Sequence, residues 1–227
     1  MACPGSRATT CQVSLTITAM GTHNDRRPIA ARASGWAVKL SAALARSSIT
    51  PNQISLLSIF FAAVGAMMLA WSPNLAGLLL CAICVQLRLA CNLLDGMVAM
   101  EGGKQTATGA LFNEFPDRAA DSLLIVGLGY AAHMPWLGWL GALLAALTAY
   151  VRVFGGSVGL AQDFRGPMAK QHRMAVLTAA CLLAIAERLA LGSQYSLAIG
   201  SGIIAAGSLL TCVSRTHAIA AQLRAGG

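Results

Sequence analysis

The feature that most constrains this chain is an apolar run of about 20 residues, the length that crosses a bilayer as a helix. Six such runs occur, roughly over 54–71, 75–94, 107–132, 137–156, 174–191 and 195–213. Backbone groups in lipid must find their hydrogen bonds within the segment, so each run predicts a transmembrane helix. The 227 residues are 56% hydrophobic and only 11% charged. We therefore predict an all-α, polytopic membrane bundle of six transmembrane helices, preceded by an amphipathic surface helix.

The basic residues indicate how this bundle is oriented. Of the sixteen Lys and Arg residues, twelve fall on one side of the predicted membrane, Arg188 alone falls on the other, and Arg88, Arg118 and Arg152 lie within the runs. Because cytoplasmic loops carry the excess of Lys and Arg, both termini are expected in the cytoplasm, with a bacterial inner membrane as the default location. The net charge of +8 suits contact with anionic lipid headgroups. Since no aromatic residues interleave a basic face, no nucleic-acid partner is expected.

The pattern divides the chain into four parts. Residues 1–28 are polar and aperiodic, which is typical of a flexible segment, and Met20 is an alternative first residue of the natural chain. Residues 29–48 form the predicted amphipathic juxtamembrane helix. The six-helix membrane domain covers 49–215, and 216–227 form a cytoplasmic tail.

The segment 29–48 combines an apolar face with a basic one. Apolar residues recur three or four apart, and basic residues recur every seven. This spacing predicts a helix lying on the membrane surface with Trp36 as its interfacial anchor. A helix packed on a soluble core is the alternative. The "TPN" stretch that follows stops this helix at Pro51 and supplies a cap for the next one.

The seven cysteines do not indicate a disulfide framework. Cys81 and Cys84 form a C-x2-C pair, but they lie inside an apolar run without a second pair. A zinc site is the weaker interpretation, and small packing residues are the stronger one.

Polar oxygen-bearing residues concentrate where the second and third runs approach the cytoplasm. Asn92 and Asp95 are three apart on one predicted helix, and Asn113, Asp117 and Asp121 are spaced i, i+4, i+8 on the next. A short glycine-containing loop joins the two, so we expect antiparallel neighbouring helices whose acidic faces converge. Converging carboxylates repel unless a positive group lies between them. A hard divalent cation, Mg²⁺ or Mn²⁺, is satisfied by these oxygen ligands.

Glycines beside this cluster suggest what else binds there. Gly96 and Gly109 leave room for a flat group to approach the helix backbone, or for helices to pack tightly. A cation next to open backbone suits a diphosphate, and a carboxylate not bound tightly to the metal can take a proton from an attacking hydroxyl. Two alternatives remain open: proton or cation transport, and a structural ion pair with Arg88 or Arg118.

These residues resemble the CDP-alcohol phosphatidyltransferase family, whose signature is D-x2-D-G-x2-A-R-x8-G-x3-D-x3-D. The spacing is matched throughout, and "TPN", the surface helix and six spans also look like the family. The matching residues are Asp95, Gly96, Ala99, Gly109 and Asp117. Three positions differ: Asn92 and Asn113 replace aspartates, and Met100 replaces the arginine.

The resemblance implies a metal-dependent enzyme of phospholipid synthesis. Such an enzyme transfers a phosphoalcohol group, here a phosphatidyl group or a smaller one, from CDP-diacylglycerol or another CDP-alcohol to an acceptor hydroxyl and releases CMP. The family also implies a homodimer. Carried over by position, Asn92, Asp95 and Asn113 are metal ligands, and Asp117 is both a metal ligand and the general base.

The departures affect how the site is assigned. Asp121, one turn beyond Asp117, is expected to restore a charge as a further metal ligand and to share or take over the role of base. Lys104 is expected to replace the charge of the missing arginine, although it lacks the bidentate fork. The loss of two carboxylates should weaken metal binding. A catalytically weakened or inactive relative that binds CDP-lipid is therefore the main alternative, and a small ion transporter is a more distant one.

The remaining candidates bind substrate. Arg118, Arg152, Lys170 and Arg173 are candidates for an anionic acceptor or headgroup; for Lys170 and Arg173 the plain positive-inside rule is the alternative, and for Arg118 a pairing with Asp117. By resemblance, the donor pocket is lined by Gly96, Ala99 and Gly109, and Asn52 and Lys104 are further substrate-binding candidates.

Overall fold

The structure, a computed structural model, describes residues 34–226, and these form seven helices without a strand. The flexible segment predicted for 1–28, the start of the predicted surface helix before Ser34, and Gly227 lie outside the described residues. The helices are α1 Gly35–Arg46, α2 Pro51–Trp71, α3 Leu75–Glu101, α4 Gly109–Ala131, α5 Pro135–Ser157, α6 Lys170–Leu191 and α7 Tyr195–Gly226. The all-helical prediction is confirmed for this part of the chain.

Capping residues set where the helices begin and end. Thr50 accepts a hydrogen bond from the Gln53 backbone, and the Gln53 side chain accepts one from the Thr50 backbone, which is a capping box. Asn74 caps α3 by accepting from Gly77 N at 2.9 Å. At the other end of the chain, α6 stops at Gly192, whose φ of 70° places it in the left-handed region that glycine tolerates.

The helix α1 turns small residues toward the protein and large apolar ones away from it. Ala37 and Ser41 are buried, whereas Trp36 and Leu40 remain 52% and 42% exposed. The Ser41 hydroxyl donates to Glu101 at 3.2 Å, so α1 packs on the C-terminal end of α3. The outward apolar face is the one expected to meet lipid, and the placement of α1 on a membrane surface stays a prediction.

The bundle is organised around α2, which lies against both α3 and α4. α5 packs on α4 and α7, and α6 joins α3 to α7. Small residues allow the closest crossings: a Cβ built on Gly127 would lie 2.9 Å from the Ala66 Cα, and one on Gly129 would lie 2.5 Å from the Gly138 Cα. The core between these helices contains Leu69, Leu78, Leu124, Ile125, Leu128, Met174, Leu177, Leu197 and Ile204.

Within residues 34–226, five helices are long and apolar enough to cross a membrane: α2, α3, α5, α6 and α7. The helix α4 has 23 residues, which is long enough, but its middle part carries Glu114, Asp117, Arg118 and Asp121. The predicted count of six spans therefore rests on whether a helix with buried charges crosses the bilayer. Large apolar side chains are exposed around the outside of the bundle, as lipid contact requires.

The expected direct packing of α3 on α4 is corrected by the structure. Among residues 34–226, α2 packs against both helices, whereas α3 and α4 approach each other closely at few backbone positions. Their polar faces still turn toward each other, and the resulting gap is crossed by side chains. A gap rather than a tight helix crossing leaves room for a ligand.

Candidate active site

The polar face of α3 carries three residues at i, i+4 and i+7: Arg88, Asn92 and Asp95. Asp95 is 5% exposed and accepts a hydrogen bond from the Ser55 hydroxyl of α2 at 2.6 Å. Its other oxygen, Oδ1, is buried without a hydrogen-bond partner among the described residues, and so is Asn92 Nδ2. Because an unpaired buried carboxylate oxygen is costly, this position is suited to a ligand.

Arg88 crosses the gap from α3 to α4. Its side chain is fully buried, and its Nη2 lies 2.6 Å from Asp121 Oδ1 and 3.3 Å from Asp117 Oδ1. A guanidinium placed between two carboxylates relieves their mutual repulsion. The positive group that the sequence requires between converging acids is thus partly supplied by the protein itself.

Asp121 is held inside the bundle rather than at a cavity. It is 2% exposed, and its two oxygens accept from Arg88 at 2.6 Å and from Arg173 Nη2 at 2.8 Å. The i+4 spacing does place it on the same helix face as Asp117, but one turn deeper. With both oxygens facing guanidinium groups, Asp121 departs from the predicted arrangement of a metal ligand and base.

Asp117 lies at the surface of a cavity and is surrounded by cations. Oδ2 accepts a hydrogen bond from Lys170 Nζ, and the Arg118 Nη2 is 3.8 Å from the same oxygen. Together with Arg88, three basic side chains approach this one carboxylate. Its side chain is 8% exposed and forms part of the cavity wall.

Two cavities open beside these residues. We call the first, of about 230 Å³, the basic cavity, because four arginines and a lysine line it. The second, of about 460 Å³, is the motif cavity, because the signature residues line it. Both share Asn92, Asn113 and Phe164. The amide-bearing positions therefore lie where the two cavities meet.

All predicted site residues except Asp121 line one of these cavities. Asn92 and Asn113 line both. The motif cavity contains Asn52, Asp95, Gly96, Ala99, Lys104 and Gly109. The basic cavity contains Asp117, Arg118, Arg152, Lys170 and Arg173. A Cβ built on Gly96 would meet nothing within 4 Å, so this glycine faces open space where a ligand can approach the backbone.

Lys104 lines the motif cavity, but its ammonium group is engaged elsewhere. Nζ donates to the carbonyls of Leu44, Ser47 and Ile49 at 3.3, 2.5 and 3.1 Å. An ammonium has three hydrogens to donate, and these three acceptors match that number. Lys104 thus ties the α3–α4 loop to the end of α1, which differs from the predicted replacement for the missing arginine. Met100 stands where the family signature has arginine, and its sulfur accepts a hydrogen bond from Gln105 Nε2 at 2.9 Å.

In the basic cavity, an acidic side chain and a backbone carbonyl bind the arginine side chains and separate them. Arg152 donates to Glu114 at 2.5 Å and lies 5.5 Å above the Phe164 ring, a cation–π distance. Arg118 also contacts Glu114, at 3.3 Å. Arg215 Nη1 donates to the Thr148 carbonyl at 2.7 Å. These contacts hold the cations in place and leave a net positive wall.

Four residues of the site were not predicted: Ser55, Glu114, Phe164 and Arg215. Arg88 was named only as a partner in a structural ion pair, and it does pair with Asp117 and Asp121. For Arg88 a signal was present, because it precedes Asn92 by one helical turn inside an apolar run, where a charge requires a partner. Glu114 lies within the acidic stretch and follows Asn113 directly. Phe164 lies in the loop between α5 and α6, and no spacing rule relates it to the motif.

The donors at the junction fit a hard cation. In the part of the chain that the structure describes, no group of three or more His, Cys, Asp or Glu residues forms a metal cluster. What the junction offers is two carboxylates, Asp95 and Asp117, and the amide oxygens of Asn92 and Asn113. Oxygen ligands of this kind suit Mg²⁺ or Mn²⁺, and the free Asp95 Oδ1 gives such an ion a carboxylate without a competing cation.

A family model for CDP-alcohol phosphatidyltransferases matches residues 48–213, which include the lining of both cavities except Arg215. Among curated proteins, a phosphatidylinositol phosphate synthase of Mycobacteroides abscessus is 26% identical over 190 residues, covering 79% of this chain and 81% of the relative. The inner membrane protein YnbA of Escherichia coli is 28% identical over 131 residues, covering 57% of this chain and 65% of the relative.

Two solved structures of Mycobacterium tuberculosis phosphatidylinositol phosphate synthase (PgsA1) share the fold. The complex with CDP-DAG superposes with a TM-score of 0.67 at 22% identity, covering 81% of this chain and 92% of that one. The complex with manganese and citrate gives 0.68 at 23% identity, covering 81% and 88%.

Proposed function

Because this chain belongs to the CDP-alcohol phosphatidyltransferase family, whose members transfer substituted phosphate groups in membrane phospholipid synthesis, we propose that its two cavities divide the two substrates between them. The motif cavity takes the CDP-linked donor, and the basic cavity takes the acceptor. The observation that carries this proposal is that the cavities meet at Asn92 and Asn113, with Asp95 on one side and Asp117 on the other.

The metal is held at this junction by Asp95 and the amide oxygens of Asn92 and Asn113, while the oxygens of Asp117, a metal ligand by the resemblance, face Arg88 and Lys170. When bound, Mg²⁺ or Mn²⁺ neutralises diphosphate oxygens and stabilises the charge that develops on the leaving CMP. The PgsA1 complex with manganese supports a divalent ion and does not distinguish Mn²⁺ from Mg²⁺.

The protein's own residues arrange the transfer. The acceptor hydroxyl attacks the phosphorus that carries the lipid, a new P–O bond forms, and the bond from that phosphorus to the CMP oxygen breaks. Asp117 receives the hydroxyl proton, since it lines the cavity that holds the acceptor. Asp121 has a positioning role, because it orients Arg88 and Arg173 from below the cavities.

The chemistry of the cavities supports particular substrate classes. The motif cavity, with open backbone at Gly96, suits a diphosphate, and CDP-diacylglycerol is the proposed donor. The basic cavity suits an acceptor that itself carries a phosphate, bound by Arg118, Arg152, Lys170 and Arg173. A phosphorylated polyol is such an acceptor, and it agrees with the product in the name of the M. abscessus relative.

The proposed setting is a bacterial inner membrane with both termini in the cytoplasm. In this arrangement α4 crosses the membrane in addition to the five apolar helices, which gives six spans. The helices α2, α5, α6 and α7 all contact α4 and shield its charged residues from lipid. Shielding by neighbours makes the buried charges of α4 tolerable. The α1 helix lies on the cytoplasmic surface, and the family resemblance favours a homodimer.

Release of CMP tests this function directly. Purified protein with CDP-diacylglycerol and Mn²⁺ should release CMP with glycerol phosphate or inositol phosphate and far less with the unphosphorylated alcohols. Asp95→Ala and Asp117→Ala should each abolish release. Glu101→Gln is the matched control, because Glu101 is on the same helix as Asp95 and lines neither cavity. Full activity in both alanine variants would exclude the proposal.

A second candidate is a relative that binds CDP-lipid without transferring it. The observation that favours it is the replacement of two signature aspartates by Asn92 and Asn113, together with Met100 in place of the arginine. If only the double variant Asn92→Asp/Asn113→Asp releases CMP while the natural chain binds CDP-lipid, the natural chain is the inactive form.

A further inference from the structure

We infer that this site binds one divalent cation per chain, and that the Lys170 ammonium takes the place on Asp117 that a second cation would need. The inference deepens the proposed function, since it rests on the same cavities and ligands. It follows from which oxygens at the junction are free and which already face a positive charge.

The first step concerns the carboxylates. Of the acidic residues at or beneath the two cavities, Glu114, Asp117 and Asp121 each contact basic side chains within 4 Å. Within residues 34–226, Asp95 is the cavity-lining carboxylate that contacts none. Its Oδ1 is buried and unpaired, and the residue is 5% exposed. One free carboxylate at the junction provides a charged anchor for one divalent ion.

The second step concerns the amides. Asn92 and Asn113 offer neutral oxygens at the same junction, and they add ligands without adding charge. A second divalent ion would have to draw on Asp117, whose oxygens face Arg88 and Lys170. Charges of the same sign at such short range repel strongly, even at the intermediate dielectric of a protein cavity.

The third step is the charge balance of the whole site. Lys104 is left out of the sum, because its ammonium donates to three backbone carbonyls at the end of α1. Four carboxylates (Asp95, Glu114, Asp117 and Asp121) then stand against six basic groups (Arg88, Arg118, Arg152, Lys170, Arg173 and Arg215), which leaves two positive charges. One divalent cation raises this to four. A donor diphosphate and an acceptor phosphate, with about two negative charges each, then bring the site to neutrality. A second divalent ion would leave two positive charges without a partner.

Lys170 is the cation that a variant can remove cleanly. It is the first residue of α6, its side chain is 28% exposed, and it bonds to Asp117 Oδ2. Arg88, by contrast, is fully buried and connects two helices. Lys170→Met keeps the length of the stem and deletes the charge.

The test is a titration of metal-stripped protein in detergent with Mn²⁺, in which the EPR signal of free Mn²⁺ reports the bound fraction without any turnover. The natural chain should bind one Mn²⁺. Lys170→Met should bind its Mn²⁺ about tenfold more tightly, because a neighbouring positive charge is gone. Adding Asn92→Asp and Asn113→Asp to Lys170→Met should raise the number bound to two. Lys39→Met, on the exposed surface of α1, should leave the natural titration unchanged.

Each result bears on a different statement. Two ions bound by the natural chain would overturn the inference and leave the proposed function intact. No ion bound would instead overturn the metal part of the proposed function. An unchanged affinity in Lys170→Met, or a triple variant that folds and still binds one ion, would overturn the role given to Lys170.

Discussion

At the scale of single residues, Arg88 has the largest structural role in the site. It is a charged side chain inside an apolar helix, and it contacts both Asp117 and Asp121 across the gap between α3 and α4. Two of its nitrogens, Nε and Nη1, have no partner among the described residues, so the residue is stabilised mainly through one nitrogen. The two helices therefore depend on this guanidinium for their relative position.

Removing that guanidinium should destabilise the fold. Arg88→Met leaves two buried carboxylates with one cation fewer, and breaking a buried ion pair from one side costs about 3 kcal/mol or more. Thermal unfolding in detergent should show a clear loss of stability. Arg118→Met removes a partly exposed charge near the same Asp117 and should cost much less. Equal losses in the two variants would contradict the role given to Arg88.

Ser55 positions the proposed metal ligand. Its hydroxyl donates to Asp95 Oδ2 at 2.6 Å, and Oδ1 is left buried without a partner among the described residues. Ser55→Ala should lower CMP release about tenfold, since a hydrogen bond to a charged group contributes 1.5–3 kcal/mol. It should also weaken Mn²⁺ binding while the fold stays intact. Ser58→Ala is the control, because Ser58 donates only to a carbonyl of its own helix; a similar loss there would argue against the assignment.

At the scale of elements, the loop of residues 158–169 connects α5 to α6 and covers the place where the cavities meet. Positive φ angles at Gly159 and Gly166, 82° and 118°, shape its two ends. At Gly166 a Cβ would lie 2.5 Å from Thr211 Cγ2, so this end of the loop is pressed against α7. Between them, Phe164 lines both cavities and contacts Arg152.

The aromatic ring at 164 should keep water away from the reacting phosphorus. Phe164→Ala opens the junction, so water should compete with the acceptor hydroxyl and the ratio of lipid hydrolysis to transfer should rise several-fold. Total CMP release should change less than this ratio. Phe115→Ala removes an exposed phenylalanine that lines neither cavity and should leave the ratio unchanged. The measurement is the proportion of phosphatidic acid to transfer product; an unaltered proportion would contradict this role.

Helix boundaries show which part of the fold the sequence reveals. The second apolar run ends near residue 94, whereas α3 continues to Glu101, and the last run ends near 213, whereas α7 continues to Gly226. Apolarity marks where a helix leaves lipid, and the hydrogen-bonded helix extends beyond that point. The first residues of the helices were better defined by the sequence, because Pro51 and Pro135 occupy first helical positions and Asn74 is an N-cap.

The site shows a similar division. Periodicity placed Asn92, Asp95, Asn113 and Asp117 on facing surfaces; in the structure the two asparagines line both cavities, Asp95 lines the motif cavity and Asp117 lines the basic cavity. Periodicity does not show how far a side chain lies from the cavity. Asp121 was therefore assigned the same role as Asp117, although it is buried between two arginines. The engagement of Lys104 with the end of α1 depends on a contact between residues about 57 apart, which no local pattern encodes.

At the scale of the whole molecule, side-chain contacts define two ends of the bundle. Arg188 donates to the Pro73 carbonyl at 2.6 Å, which brings the α2–α3 turn and the end of α6 together. At the opposite end, Lys104 holds the α3–α4 loop to residues 44–49. Most basic residues and both cavities lie at this second end, so the reactive junction and the positive charge share one side of the bundle.

Whether α4 crosses the membrane can be tested, because an even or an odd number of spans places the C-terminus on different sides. If α4 crosses the bilayer, six spans return the chain end to the side of α1; if it does not, five spans leave it on the other side. Alkaline phosphatase fused after Ser193 should be active, and the same enzyme fused after Ala225 should be inactive, whereas a green fluorescent protein there should fluoresce. The opposite pattern would mean that α4 lies within one leaflet. The buried charges of α4 favour crossing, because Arg88 and Arg173 offset Asp121 inside the bundle and lipid never meets them.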